Sequence, residues 1–202
     1  AKERAKRIIC TNNLKQMGIA MVGYVGDQDG WTADWTGVSF PPGSNNDGVR
    51  NVQYGDVKVA IGKTIVEGYL PIAEAPNTLF CPSRDPRARY ANPAGGQWSW
   101  SKWDIQTVEY SYQHRLSRRL AASDAADVFG ADLAIIDTYI FGNENLGTVS
   151  MGSPICHGDN WYAVSFFDMS VRPIIDVGGS LIVGPYINAC GKVLNRFEVM
   201  AE

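Results

Sequence analysis

The chain has 202 residues, of which 45% are hydrophobic and 19% are charged, and its formal net charge is −3. This composition excludes a disordered, collagenous or coiled-coil protein and indicates a globular domain with a sizeable core. The 18 basic residues against 21 acidic ones give no positive field for a phosphate backbone, so we expect no nucleic-acid partner. The sequence contains no apolar run long enough to span a bilayer.

A long helix is predicted at the start of the chain, over residues 1–24. One stripe of it is apolar at spacings of four, three, four and three residues, which places its members on one helical face. The members of this stripe are Cys10, Leu14, Met17, Met21 and Tyr24. The pattern starts at Ala1 with no capping Ser, Thr, Asp or Asn before it, so we expect that an upstream part of the helix has been removed.

The rest of the chain is predicted to change from loops to strands. Residues 25–104 are mostly loops, with one short helix or turn at 61–69. Residues 105–202 are strand-rich, apart from a helix-like segment at 117–129. Strands are predicted at 108–113, 134–141, 162–167, 171–177, 180–183 and 193–199, with a hairpin turn at Gly178-Gly179. We therefore expect a single α+β domain, 1–202, in which the helix lies on a C-terminal antiparallel sheet with long irregular loops.

The four cysteines are dispersed and form no C-x-x-C pair, which argues against a zinc ribbon or a thioredoxin-like site. They suit buried thiols or disulfides, and their spacing does not choose among the three pairings. Cys156 and His157 are neighbours in the sequence. Adjacent residues of an extended segment point to opposite faces, so we do not expect these two to form a catalytic pair. The residues concerned are Cys10, Cys81, Cys156 and Cys190, with His157 after Cys156. No phosphate loop or nucleophile elbow occurs, which argues against nucleotide binding and α/β-hydrolase chemistry.

Two sets of acidic residues are weak metal candidates. Asp27-x-Asp29-Gly30 imitates the opening of a calcium loop, but the third ligand position and the distal Glu are missing. A turn that ends the helix is the simpler interpretation. Asp159 and Asp168, with His157, flank a predicted strand pair, where they would hold either a divalent ion or the loop backbone. We expect no cofactor, with calcium as the alternative.

Three tryptophans, Trp98, Trp100 and Trp103, lie close together in the chain. In an extended segment Trp98 and Trp100 share a face and would form a flat platform on which a sugar ring stacks. Otherwise the indoles cover a thin part of the core or fill a subunit contact. The platform gives an alternative function, a secreted or surface carbohydrate-binding module.

The N-terminal residues carry the most specific pattern in the sequence. Residues 1–20, AKERAKRIICTNNLKQMGIA, followed by Tyr24, Asp27 and Gly30, resemble the segment after the membrane helix of type II secretion pseudopilins. More narrowly, they resemble the prepilin-type cleavage/methylation-domain family abundant in planctomycete-like bacteria. Residues 79–83, LFCPS, are similar to its F-x-C-P-S box, and residues 156–171 to its late His and Asp-Gly motif, although Met169 replaces the Gly. The matching positions include Asn12, Asn13, Lys15, Gln16, His157 and Asp168.

The resemblance implies a pilin-like fold and a non-catalytic filament subunit with a role in protein secretion. Its partners would be copies of itself and other pseudopilins, and a removed N-terminal helix would anchor it in the inner membrane. This domain would then lie in the periplasm or in an extracellular filament. In that oxidising setting the resemblance implies a disulfide between Cys10 and Cys81, and a second one between Cys156 and Cys190.

Overall fold

The structure, a computed structural model, describes residues 1–33, 48–54, 56–83, 103, 108–115, 128–132, 157, 161–166, 168, 170–175 and 177. These residues form three helices and six strands. The helices are α1 (Lys2–Asp27), α2 (Ile61–Val66) and α3 (Ala75–Thr78). The strands are β1 (Gly48–Tyr54), β2 (Val57–Lys58), β3 (Val108–Arg115), β4 (Val128–Asp132), β5 (Trp161–Phe166) and β6 (Val171–Ile175).

The six strands form one sheet in the order β2-β1-β3-β4-β5-β6, and each neighbouring pair is antiparallel. The last pair, β5 and β6, is in regular register, with Tyr162 opposite Ile174. Helix α1 packs against β4, β5 and β6, and it also contacts α2 and α3. The described residues therefore have the α+β layout in which one long helix lies on an antiparallel sheet.

The apolar stripe of α1 faces this core. All five stripe residues are buried, and so is Val25, which continues the stripe by one further position. This explains why the helix extends to Asp27, beyond the predicted end at residue 24. It stops where Asp29 and Gly30 adopt positive φ angles of 50° and 86°, a conformation that a helix does not accommodate.

Two segments differ from the sequence-based prediction. The predicted loop before residue 60 contains β1 and β2, and the predicted helical segment 117–129 ends inside β4. Strand β1 has a weak local pattern, and it forms because β3 pairs with its backbone and because Val52 and Gln53 are buried. In β4 the pairing with β3 and β5 on its two sides overrides the helix-like composition.

Helix α3 lies in a segment predicted as loop, and the other described elements lie where the sequence places them. Strands β3, β5 and β6 match the predictions at 108–113, 162–167 and 171–177 to within two residues at each end, and α2 lies within 61–69. The strands predicted at 134–141, 180–183 and 193–199 and the Gly178-Gly179 turn are outside the described residues. Among the helices of the described ranges, none is both long and apolar enough to cross a membrane.

Helix α2 packs directly on β1 through a glycine. A Cβ atom added at Gly62 would lie 1.9 Å from the carbonyl oxygen of Val52, whereas one added at Gly26 of α1 would have no atom within 4 Å. We expect Gly62→Ala to lower the free energy of unfolding by about 3 kcal/mol, because backbone has to move. Gly26→Ala is the matched control and raises it by about 0.5 kcal/mol. Urea denaturation of both variants measures this, and equal stabilities would contradict the close packing.

Candidate functional site

Two sulfur atoms and one imidazole ring meet where α1 crosses the end of the sheet. Cys10 lies on α1, Cys81 follows the turn after α3, and His157 precedes β5. The Cys10 and Cys81 Sγ atoms are 2.9 Å apart, and the Cys81 Sγ is 3.5 Å from the His157 Nε2 atom. All three residues are at most 1% exposed. We call these three residues the thiol-imidazole cluster.

A carboxylate and a hydroxyl fix the orientation of the imidazole. The Glu3 Oε1 atom lies 2.7 Å from the His157 Nδ1 atom, and the Ser83 hydroxyl is 3.1 Å from the same nitrogen. The Ser83 hydroxyl also lies 3.3 Å from both Glu3 oxygens. An ionised carboxylate only accepts hydrogen bonds, so the Nδ1 atom donates to Glu3. The lone pair of Nε2 is then on the side of the ring that faces Cys81.

The charge states agree with this assignment. Burial lowers the pKa of His157, and the hydrogen bond and charge of Glu3 offset only part of that effect. Partial burial raises the pKa of the Glu3 carboxyl, but the contacts with His157 and Ser83 outweigh it and the net shift is downward. At neutral pH the pair is therefore a neutral imidazole that donates to an ionised carboxylate.

An aromatic side chain and a cation complete the surroundings of the ring. The indole of Trp161 meets His157 edge to face, with ring centroids 4.9 Å apart and an interplanar angle of 84°. The guanidinium of Arg7 lies over the Trp161 ring, 5.3 Å from its centroid. These contacts hold the imidazole between α1 and β5.

The cluster can support two kinds of link between distant parts of the chain. One is a disulfide between the two sulfurs, which are present as thiols in the structure. The other is a metal ion held by both sulfurs and the Nε2 atom. The disulfide implied for Cys10 and Cys81 therefore has its two partners side by side, and the bond itself stays a prediction. Cys156 and Cys190 are outside the described residues.

The acidic metal candidates take part in turns and surface contacts. The carboxylate of Asp27 accepts a hydrogen bond from the Tyr69 hydroxyl, and Asp29 lies in the turn that ends α1. Asp168 accepts the Ser170 backbone N–H at 2.8 Å, and its carboxylate lies 3.6 Å from the Arg172 guanidinium. Within the described ranges, the thiol-imidazole cluster is the only group of three metal-ligand side chains. Asp159 is outside those ranges.

The motif residues of α1 divide between two faces. Asn13 is buried, and its side-chain amide donates to the Asn77 carbonyl of α3 at 3.0 Å. The Gln16 side chain accepts a hydrogen bond of 2.9 Å from the Thr78 hydroxyl, also on α3. These two contacts fix α3 against α1. The other two motif residues, Asn12 and Lys15, are exposed to solvent.

Trp103 packs against the core, as the indole of a core-covering loop does. It is partly buried against the main hydrophobic cluster, and the Lys58 ammonium lies 3.9 Å from its ring centroid. This contact covers one face of the ring, which a stacked sugar would otherwise use. Trp98 and Trp100 are outside the described residues.

No protein-family model, no curated protein and no solved structure matches the chain.

Glu3 and its contact with His157 were not predicted from the sequence. The first turn of α1 is rich in Lys, Arg and Glu, and that composition indicates a solvated end of a helix. The resemblance named Cys81, Ser83 and His157 in separate motifs without bringing them together. Glu3 is brought to Ser83 and His157 only when the start of α1 packs against the two segments that carry them.

The buried amide of Asn13 provides a test of the contact between α1 and α3. We expect Asn13→Ala to lower the free energy of unfolding by about 1–2 kcal/mol, because the Asn77 carbonyl loses its donor. Asn12→Ala, at the neighbouring exposed position, is expected to change it by less than about 0.5 kcal/mol. Chemical denaturation compares the two variants. An equal effect of both would show that the amide contributes nothing to the contact.

Proposed function

We propose that this domain is the non-catalytic, filament-forming subunit of a type II secretion pseudopilus or a related pilus-like assembly. The observation that carries the proposal is the second stripe of α1. This stripe lies opposite the buried one and is exposed along its length, with apolar residues at both ends. Its members are Ile8, Asn12, Lys15, Ile19 and Val22.

The exposed stripe differs from the solvent face of an ordinary surface helix. Ile8 is 54% exposed, Ile19 is 60% exposed and Val22 is 41% exposed. A helix that is polar on its outer side is the rule for soluble domains, so three exposed β-branched residues in a stripe of five indicate a surface that contacts another protein. The stripe also contains two residues of the pseudopilin resemblance, Asn12 and Lys15. We therefore assign it to contacts between copies of the chain.

The packing of α1 on the sheet suits this role. The rotation of the helix about its axis is fixed by its buried apolar stripe and by two hydrogen bonds to α3. Asn13 donates one of these bonds, and Gln16 accepts the other. The outer stripe is thus presented in one orientation. A filament in which every subunit makes the same contact needs such a fixed surface, because a heterologous contact repeats only when its geometry is constant.

The position of the domain in the cell is part of the same proposal. As the resemblance implies, α1 continues upstream into an apolar helix that anchors the precursor in the inner membrane and later packs inside the filament. The domain itself then lies in the periplasm or along the filament. The basic residues of the first two turns suit a place beside an anionic membrane surface. They are Lys2, Arg4, Lys6 and Arg7.

A charge placed on the outer stripe tests the proposal. In the full-length protein with its upstream segment, we expect Ile19→Asp to reduce the amount of assembled filament at least about tenfold, because each contact buries an unpaired carboxylate. Ile72→Asp is the matched control, since Ile72 is 54% exposed but lies outside α1. Electron microscopy and the yield of sheared filaments measure assembly, and thermal unfolding checks the fold.

Two results would contradict the assignment of the outer stripe. One is normal assembly of the Ile19→Asp protein. The other is an equal loss in both variants with unchanged thermal stability, which would show a general effect of surface charge.

A further inference from the structure

His157 is a third potential ligand in the thiol-imidazole cluster, beside the two sulfurs that a disulfide would join. His157 is buried beside Cys81, and Glu3 orients it so that its Nε2 lone pair faces the sulfur. A buried imidazole held in this way has the features of a ligand. We infer that Cys10, Cys81 and His157 bind a zinc ion through their two Sγ atoms and the Nε2 atom.

The donor set suits zinc better than harder cations. Thiolate and imidazole are the ligands of structural zinc sites, whereas calcium and magnesium prefer oxygen. The three ligand atoms all lie within 4.8 Å of one another, and all three residues are buried. Four-coordinate zinc binds three such ligands and leaves one position for water or a fourth side chain.

One of the ligand distances is already close to that of a tetrahedral site. With Zn–S near 2.3 Å and Zn–N near 2.1 Å, the ion sets sulfur and nitrogen about 3.6 Å apart and the two sulfurs about 3.8 Å apart. The distance from the Cys81 Sγ to the Nε2 atom is already 3.5 Å. The two sulfurs, now 2.9 Å apart, have to separate by about 0.9 Å, which small side-chain rotations supply.

The groups around the ligands are those that support a metal. A histidine that binds zinc through one nitrogen usually donates its other N–H to a carboxylate, which is the position of Glu3. The Ser83 backbone N–H points to the Cys81 Sγ at 3.4 Å, a contact that stabilises a thiolate. Glu3 is therefore a positioning residue, and Ser83 supports both the sulfur and the carboxylate.

The groove beside Glu3 is the expected route of the ion to the cluster. The Glu3 side chain is 44% exposed and lines an open groove of about 500 Å³ between α1 and the β5–β6 edge. Its carboxylate thus touches solvent on one side and His157 on the other. Cys10, Cys81 and His157 do not line the groove themselves, so the ion would have to pass Glu3 to reach them.

Zinc would join segments that are far apart in the chain. Cys10 and Cys81 are 71 positions apart, and Cys81 and His157 are 76 positions apart. Binding therefore closes two long loops and stabilises the folded state. The inference does not depend on the filament proposal. It competes with the disulfide that the resemblance implies, since oxidised sulfurs cannot both bind the ion.

Metal and thiol analysis of the intact chain is the first test. We expect the protein, isolated without reductant or chelator, to contain about one zinc ion per chain, with Cys10 and Cys81 recovered as thiols after denaturation. Removal of the zinc by a chelator lowers the midpoint of thermal unfolding, and added Zn²⁺ restores it. Peptide mapping that finds a Cys10–Cys81 disulfide, in protein that carries no zinc, would overturn the inference.

Cobalt binding tests the role of each residue. We expect Co²⁺ to give thiolate charge-transfer and tetrahedral d–d absorption, and His157→Gln to abolish the tetrahedral spectrum. Glu3→Gln should weaken Co²⁺ binding about 10–100-fold, as loss of an outer-shell carboxylate does. Because the Glu3 side chain is partly exposed, we expect Glu3→Gln to fold even if a variant of the buried cluster does not, and its Co²⁺ affinity still tests the site. Asp168→Asn is the control and leaves binding unchanged. Equal spectra and affinities in all the variants would refute the site.

Discussion

The burial of one face of α1 determines the rest of the described structure. Its stripe packs against β5, whose six residues are all buried, and each fully buried Leu or Met side chain contributes about 1.5–3 kcal/mol. This packing fixes the rotation of the helix. Cys10 is consequently held inside, next to Cys81, and the row that includes Ile19 is held outside. Both the buried cluster and the exposed stripe depend on that one orientation.

Helix α1 also contacts later segments through three polar or thiol side chains, of which Cys10 and Asn13 are buried and Glu3 is partly exposed. Cys10 contacts the turn after α3, Asn13 contacts the α3 backbone, and Glu3 contacts His157. Each contact joins α1 to a different later segment, so the helix is tied along its length and not only by apolar packing. These ties define the position of the helix along its axis, which apolar contacts alone do not specify.

Periodicity predicted the helix well because a helical face is a local property. The stripe from Cys10 to Tyr24 needs no information from the rest of the chain. Strand β1 was missed because its pairing with β3 is a long-range contact, which a short and polar segment does not reveal. For the site, the resemblance paired Cys10 with Cys81, but nothing in the sequence placed His157 beside them. Glu3 was missed because a charged first turn has the same pattern whether or not a histidine packs on it.

The most direct measurement of the central claim is the sequence of the gene upstream of Ala1. A filament subunit of this kind requires a short basic leader that ends in Gly, followed by Phe and about 20 apolar residues that run into α1. That result would support the proposed anchored helix and its exposed stripe. A start codon directly before Ala1, or a cleavable secretory signal there, would contradict the account. It would reduce the pseudopilin resemblance to one of fold.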